Sequence, residues 1–258
     1  FTLSGRFWLG YSVSHFFANC GRFFLNHRLW AWLLIGIVLV LVYAPLLWVR
    51  FTLWRYRHEL EGIPGTGGEL ARHLVKKFSL DGVIIEEGQS GQDHYSPVDK
   101  TVRLGPENFN GKSLTAVAIA THEVGHAIQF HRNEPTCQLY NKYYPVAHRI
   151  QRLGIAMVSL PVFGLLLSAP RISVLAMLLV AGVMVVSALI HLIVLPQEWD
   201  ASFNKAMPIL EEGEYVDTEH LPAVRAILRA AALTYFAAAL ADVLRCWRWG
   251  GLLRGLRF

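Results

Sequence analysis

The chain has 258 residues, of which 53% are hydrophobic and only 17% are charged, and its formal net charge is +5. Soluble domains carry about 25% charged residues, so this composition argues against an ordinary soluble protein and favours contact with lipid. No run of Lys and Arg interleaved with aromatic residues offers a nucleic-acid face, so the basic charge does not indicate nucleic-acid binding. Three scattered cysteines (Cys20, Cys137 and Cys246) form no Cys-x-x-Cys pair, which argues against a disulfide framework and a cysteine-based zinc site.

The first predicted element is a membrane-spanning helix over residues 29–49. These residues carry no charge, and their number matches the length that a helix needs to cross about 30 Å of hydrocarbon. Trp30, Trp32 and Trp48 stand near its ends, where membrane proteins carry interfacial aromatic residues. The preceding residues 1–28 mix aromatic residues with few arginines, which predicts either an interfacial or a disordered segment.

Residues 50–152 have the composition of a small α+β domain. The stretch GTGGELARHLVKKFSL predicts a helix that Thr66 caps, with apolar residues four apart on one face. The stretches DGVIIEEG and DHYSPVDKTVRLG predict short strands, and the second contains a turn at Pro-Val-Asp-Lys. The following SLTAVAIATHEVGHAIQFH predicts a long apolar helix.

The second half of the chain is predicted to return to the membrane. Residues 153–195 form two apolar runs separated by a Pro-Arg turn, which predicts a transmembrane hairpin. A charged, amphipathic segment follows at 196–226. The helix predicted at 227–245 is apolar but interrupted by two charged residues, so it either crosses the membrane or packs along the bundle. The basic, aromatic tail at 246–258 suits a membrane surface.

The pattern His-Glu-Val-Gly-His lies inside the long apolar helix. Residues four apart share one face of a helix, so His122 and His126 can bind one ion together. A catalytic zinc takes three protein ligands and leaves one position for water, and Glu123 stands where it can take a proton from that water. The spacing therefore predicts a hydrolytic site with one Zn²⁺ per chain and Glu123 as the general base.

The third ligand must come from another part of the chain. The extended motif with a further histidine ten residues after the first is absent, and His131 and His148 are badly spaced. Glu198, in LPQEWDAS, is the favoured ligand, and Asp200 is its competitor. If Glu198 binds the metal, Asp200 could accept a hydrogen bond from a histidine, and otherwise it is a surface charge or a helix cap.

The predicted hairpin allows this ligand set to assemble. Two crossings return the chain to the side on which it started, so His122, His126 and Glu198 can meet at one membrane face. Lys and Arg are more numerous around residues 50–152 than in the hairpin turn, which predicts that this face is cytoplasmic.

A hydrolytic site also needs a hydrogen-bond donor for the negative charge that develops on the substrate oxygen. The candidates by residue type are His94, Tyr95, Arg229 and Tyr235. Each also has an ordinary structural interpretation, as a polar turn residue, a helix-end arginine or a core tyrosine.

Four stretches of this chain resemble the bacterial membrane neutral zinc metallopeptidases, a YugP-like family of the gluzincin type. They are DHYSP, AIATHEVGHAIQ, LPQEWDAS and VRAILRAAALTYFAAAL. The resemblance implies a bacterial plasma-membrane zinc peptidase in which His122, His126 and Glu198 bind zinc and Glu123 is the catalytic acid and base. The chain departs from the gluzincin pattern Glu-x-x-x-Asp, because Ser202 stands four residues after Glu198.

Together these observations predict a mostly α membrane protein. Three or four transmembrane helices would carry a small α+β zincin-like metallopeptidase domain on one membrane face. The predicted function is an integral membrane zinc-dependent endopeptidase that acts on protein or peptide substrates in contact with the lipid bilayer. The sequence leaves open whether the protein has a membrane protein partner or forms an oligomer.

Three other functions compete with this interpretation. The first is a catalytically silent, metal-binding membrane scaffold or adaptor. The second is a transport or channel subunit, which the near absence of ionisable residues in the clear spans disfavours. The third is a zinc hydrolase that acts on a non-peptide amide or ester.

Overall fold

The computed structural model describes residues 43–159 and 193–234, together with the isolated positions 32, 33, 36, 37, 39, 40, 182, 183 and 186. The chain divides into two compact units, Phe1–Ala44 and Pro45–Phe258. The elements that form the candidate site all belong to the second unit.

The second unit begins with helical residues 45–55 and continues through the following elements. These are α1 (Gly67–Lys77), β1 (Ile84–Glu87), β2 (His94–Ser96), β3 (Thr101–Leu104), α2 (Pro106–Phe109), α3 (Leu114–His131) and α4 (Pro135–Ser159). Helical residues 193–199 then run into a π-helix (Asp200–Ala206), which is followed by α5 (Met207–Glu212), a 3₁₀ turn (Thr218–His220) and α6 (Leu221–Ala232).

The helix predicted to be capped by Thr66 and the predicted short strands are confirmed. Thr66 caps α1, since its side chain accepts a hydrogen bond from the Glu69 amide and the Glu69 carboxylate accepts one from the Thr66 amide. The sheet has the order β1-β3-β2, in which β3 pairs parallel with β1 and antiparallel with β2. Because β3 lies between two neighbours, Val102 and Leu104 are completely buried, whereas β2 forms an edge of the sheet.

Helix α3 forms the centre of the core, as its apolar sequence predicts. Ser113 caps it by accepting a hydrogen bond from the Ala116 amide, and every residue from Leu114 to Gln129 is buried. A helix that is apolar on all sides must be surrounded by other elements. Helix α3 packs against α1, α6 and the π-helix, which bury the polar residues that it carries together with the apolar ones.

The prediction of three or four transmembrane helices is wrong for the part of the chain that the structure describes. None of the helices found there combines the length and the apolar character that crossing a bilayer requires. Helix α4 is long, but Lys142, Arg149 and Arg152 interrupt it. The predicted spans at 153–195 and 227–245 fall largely on residues outside the described ones, and part of the span at 29–49 does so too. The segments 1–28 and 246–258 lie wholly outside the described residues. The described fold is mostly helical with a small three-stranded sheet.

Candidate metal centre

The side chains of His122, His126 and Glu198 meet inside the second unit. Oε2 of Glu198 lies 3.2 Å from Nε2 of His122 and 3.4 Å from Nε2 of His126. All three residues are less than 10% exposed. Two elements that are far apart in sequence therefore bring one carboxylate and two imidazoles to a single buried point.

The local structure of α3 sets the two histidines side by side. They stand four residues apart on one helical face, and their ring centroids are 4.7 Å apart with an angle of 79° between the ring planes. Gly125, on the same turn, allows the π-helix to approach closely. A Cβ at this position would lie 3.0 Å from the carbonyl oxygen of Ala201. The glycine therefore gives Glu198 access to the histidine pair.

Both histidines are held through the ring nitrogen that points away from Glu198. Ser202 Oγ lies 3.0 Å from Nδ1 of His122, and the Ser202 hydroxyl donates its proton to the carbonyl of Leu228. The hydroxyl oxygen is left to accept a proton from Nδ1 of His122. Nδ1 of His126 lies 3.0 Å from Oε1 of Gln129. These contacts direct the Nε2 atoms of both rings towards Glu198.

The three donor atoms fit a zinc ion by chemistry and by spacing. Two imidazole nitrogens and one carboxylate oxygen are a ligand set that catalytic zinc uses. Ligands about 2.0–2.2 Å from a tetrahedral zinc lie roughly 3.3–3.6 Å apart, which is close to the two measured separations. Another group of metal-ligating residue types in the described ranges, Asp217, Glu219 and His220, is mostly exposed, unlike the three buried residues.

The charges of the three residues depend on one another in the metal-free protein. Burial alone would raise the pKa of the Glu198 carboxyl, but the two histidines outweigh it and lower that pKa to about 2. Burial alone would lower the pKa of His126, but the Glu198 carboxylate outweighs it and raises that pKa to about 9. The metal-free site therefore contains a carboxylate paired with an imidazolium, and metal binding must displace a proton from His126.

Glu123 lies beside this centre and is 7% exposed. Burial raises the pKa of its carboxyl, and the negative charges of Glu198 and Asp93 raise it further, while the two histidines oppose the shift. A carboxyl with a raised pKa holds a proton more readily near neutral pH than an ordinary glutamate does.

A cleft of about 280 Å³ opens onto the metal centre, and Glu123 forms part of its wall. The other side chains around it include His94 and Tyr95 from β2, together with Phe130 and Tyr140. Burial raises the pKa of Tyr140 to about 12, and nearby Tyr144 and Glu198 add to the shift. The Tyr140 phenol therefore stays protonated and remains a hydrogen-bond donor.

The remaining sequence candidates lie in different places. Arg229 is exposed on α6 and does not line the cleft, and Tyr235 falls outside the described residues. Asp200 contacts neither histidine; its carboxylate binds the side chains of Gln129, Asn204 and Lys205. Neither alternative ligand belongs to the converging group of side chains. His131 is exposed, and the His148 ring stacks on Tyr144.

Sequence reasoning did not assign roles to Gln129, Ser202 and Tyr140. Two of them carried a signal in their spacing. Gln129 stands three residues after His126, and Ser202 stands four residues after Glu198, so each shares a helical face with a predicted ligand. Tyr140 carried no such signal, because only the packing of α4 brings it to the cleft.

Comparison with known proteins agrees with this centre. Residues 31–254 match the family described as "Putative neutral zinc metallopeptidase", and the chain belongs to this family. The chain is also 33% identical, over 184 residues, to a Bacillus subtilis (strain 168) protein named "Putative membrane protease YugP". That alignment covers 71% of this chain and 78% of the relative. No solved structure matches the chain. The resemblance predicted from the four stretches is thus confirmed, and the family implies zinc as the metal.

Proposed function

We propose that this protein is a zinc-dependent endopeptidase that hydrolyses peptide bonds in the cleft beside α3. The observation that carries the proposal is the convergence of His122, His126 and Glu198 at one buried point, with Glu123 in the wall of the adjoining cleft. In this proposal the three converging side chains hold one zinc ion per chain. Zinc, when bound, supplies Lewis acidity for a substrate carbonyl and lowers the pKa of a water molecule.

Glu123 performs the proton transfers in this proposal. Its carboxylate accepts a proton from the attacking water and later gives that proton to the amine of the leaving peptide. The raised pKa of the buried carboxyl supports both steps, because a more basic carboxylate takes up the proton more readily. His122 and His126 would hold the metal as neutral imidazoles, and Ser202 and Gln129 hold their rings.

Tyr140 and β2 position the substrate in the same proposal. The Tyr140 hydroxyl, which remains protonated, donates a hydrogen bond to the carbonyl oxygen as negative charge develops on it. Among the described residues β2 pairs with β3 alone, so its other side is available to an extended peptide. His94 and Tyr95 lie on this strand and line the cleft.

The proposal places the activity at a membrane. The Bacillus subtilis relative is named a membrane protease, and helical residues 45–55 carry the exposed apolar side chains of Leu47, Trp48, Phe51 and Trp54. The distribution of Lys and Arg in the sequence supports the cytoplasmic face of the bacterial plasma membrane as the location. Fractionation of cells expressing the protein tests this location, and recovery of all the protein in the soluble fraction would contradict it.

Metal-dependent cleavage by the purified protein tests the activity. We expect the zinc-loaded protein to cleave an unfolded substrate such as casein, and a chelator to stop the cleavage until zinc is restored. Glu123→Gln should keep the zinc and lose activity by about 10²-fold or more, since it removes the proton acceptor. A Glu123→Gln protein that cleaves at the full rate would contradict the mechanism, and a wild type that binds zinc without any turnover would favour the scaffold alternative.

A further inference from the structure

Gln129 is a completely buried polar side chain that takes no part in the proposed chemistry. It nevertheless makes three hydrogen bonds. Oε1 lies 3.0 Å from Nδ1 of His126, while Nε2 donates to the backbone carbonyl of Gln197 at 2.9 Å and to Asp200 Oδ2 at 2.7 Å. A buried amide with this many partners has only one orientation available to it.

The partners of the amide determine which atom faces His126. A backbone carbonyl and a carboxylate can only accept hydrogen bonds, so the NH₂ group of Gln129 must point at Gln197 and Asp200. The carbonyl oxygen is left for Nδ1 of His126, which must therefore carry a proton. Nε2 of His126 is the nitrogen that points to Glu198 and that binds a metal in the neutral ring.

The same side chain also holds the segment that carries the third ligand. Gln197 directly precedes Glu198, and its carbonyl accepts the hydrogen bond from Gln129 across 68 residues of sequence. One amide thus contacts a ring on α3 and the backbone beside Glu198. The relative position of these two proposed ligands depends on it.

The Asp200 carboxylate that contacts the Gln129 amide is itself held by neighbouring side chains. Lys205 lies 3.3 Å from the Asp200 carboxylate and 3.1 Å from Glu134, and Asn204 donates to Asp200 at 2.7 Å. The Asp200 carboxylate thus accepts hydrogen bonds from Gln129 and Asn204 and lies beside the Lys205 ammonium. These contacts fix it as an acceptor for the amide of Gln129.

We infer that Gln129 is the positioning residue of the metal site, which sets the ring of His126 and the backbone beside Glu198 at once, with Asp200 acting through it. The inference deepens the proposed function because it rests on the same zinc site, but it does not depend on peptidase activity. Residues that orient a metal-ligating histidine commonly change metal affinity by about 10–100-fold when they are replaced.

Replacement of Gln129 by methionine tests this role with zinc affinity as the readout. Methionine has a similar length and flexibility but can neither accept from His126 nor donate to Gln197 and Asp200. We expect Gln129→Met to weaken the Kd for zinc by about 10–100-fold in a competition titration against a chromophoric chelator. The visible spectrum of the Co²⁺-substituted protein should change as well, because a loosened ring alters the ligand geometry.

Gln138→Met is the matched control. Gln138 is exposed and its Nε2 donates to the carbonyl of Asn133, so the same chemical change is made away from the site. We expect the wild-type Kd and cobalt spectrum from this control. If Gln129→Met also keeps both, measured on its folded fraction, the positioning role is wrong and Gln129 contributes only to packing.

Asp200→Ala keeps the inference testable if Gln129→Met does not fold. Asp200 is partly exposed and contacts no proposed ligand side chain, and it reaches His126 through the Gln129 amide. The double variant separates this route from an effect through Asn204 or Lys205. We expect a several-fold weaker Kd in Asp200→Ala, and in the double variant no loss beyond that of Gln129→Met alone. An unchanged Kd in Asp200→Ala, or fully additive losses, would overturn the coupling. Because each readout is metal binding, these tests remain valid even if the protein proves to have no peptidase activity.

Discussion

Ser202 Oγ lies 3.0 Å from Nδ1 of His122, although 80 residues separate the two in the chain. The serine hydroxyl donates its own proton to the Leu228 carbonyl at 3.1 Å, so a third element, α6, fixes the direction in which it accepts. A neutral serine therefore occupies the position at which the gluzincin pattern expects an aspartate, and it orients the first histidine of the motif.

Ser202→Ala removes this acceptor and leaves a buried N–H of His122 without a partner. We expect a loss of about 1–3 kcal/mol in the free energy of unfolding and a zinc Kd that is roughly 10-fold weaker. Chemical denaturation and a chelator competition titration measure the two effects. Ser90→Ala, which removes an exposed hydroxyl that binds Glu107, should change neither. A wild-type Kd in Ser202→Ala would show that His122 needs no support from this hydroxyl.

Gly125→Ala tests the close approach of α3 and the π-helix. The added Cβ would lie 3.0 Å from the Ala201 carbonyl oxygen and 3.3 Å from the Cβ of Lys205, so the two helices must move apart. We expect a destabilisation of about 1–3 kcal/mol, seen as a lower Tm, together with weaker zinc binding because Glu198 moves away from the histidines. Gly36→Ala adds the same methyl group where no atom lies within 4 Å, and it should leave zinc binding unchanged. Normal zinc affinity in Gly125→Ala would mean that the π-helix can shift without moving Glu198.

Tyr140→Phe tests the proposed donor in the cleft. It removes only a hydroxyl, so we expect zinc content and KM to stay near their wild-type values while kcat falls by about 10–100-fold. Steady-state kinetics on a peptide substrate measure this separation. Tyr143→Phe makes the same change on the exposed side of α4 and should have no effect. If Tyr140→Phe raises KM and leaves kcat alone, Tyr140 binds the substrate but does not stabilise the transition state.

The pKa values of the metal-free site predict how stability and zinc binding depend on pH. The pKa of Glu198 falls from 4.5 to about 2 on folding, so its contribution to stability is present above pH 4.5 and is lost as the pH falls towards 2. The pKa of His126 rises from 6.5 to about 9, so its contribution is complete below pH 6.5 and is lost as the pH rises through 9. The pair of Glu198 and His126 should therefore stabilise the metal-free protein most between pH 4.5 and 6.5.

Zinc binding should release about one proton at neutral pH, because the metal takes the place of the His126 proton. Calorimetric titrations in buffers with different ionisation enthalpies measure the number released. Zinc affinity should rise with pH until the pH approaches the pKa of His126. His126→Ala removes the group and should abolish the release together with tight binding. Tight binding by the wild type with no proton release would mean that His126 is already neutral before the metal arrives.

Much of the local structure could be predicted from the sequence because it depends on short-range chemistry. The capping box at Thr66, the turn after Ser96 and the apolar helix around the motif each follow from residues only a few positions apart. The four-residue spacing of His122 and His126 likewise determines that their rings share a face. The favoured ligand, Glu198, stood out because it is the first acid after a long apolar stretch, with Asp200 as its competitor.

The prediction of transmembrane helices failed in the described part because an apolar run alone does not fix where a helix begins. Helix α4 begins at Pro135, before the predicted hairpin at 153–195, so it includes Lys142, Arg149 and Arg152 and is not apolar enough to cross a bilayer. Arg229 was a candidate by residue type, yet it lies on the exposed face of α6. Tyr140 reaches the cleft only because α4 folds back beside Phe130, where their ring centroids are 6.2 Å apart.

The sequence by itself determined that His122 and His126 share one face of a helix, because they stand four residues apart, and that Glu123 stands directly beside the first of them. Only the tertiary structure decided which groups hold those donors. A contact between Asp200 and a histidine was one of several roles that the sequence left open for Asp200, and in the structure Gln129 lies between Asp200 and His126. Ser202 reaches His122 through the close packing that Gly125 allows. Hydrogen bonds between helices depend on how their backbones approach, and no periodicity within one helix encodes that distance.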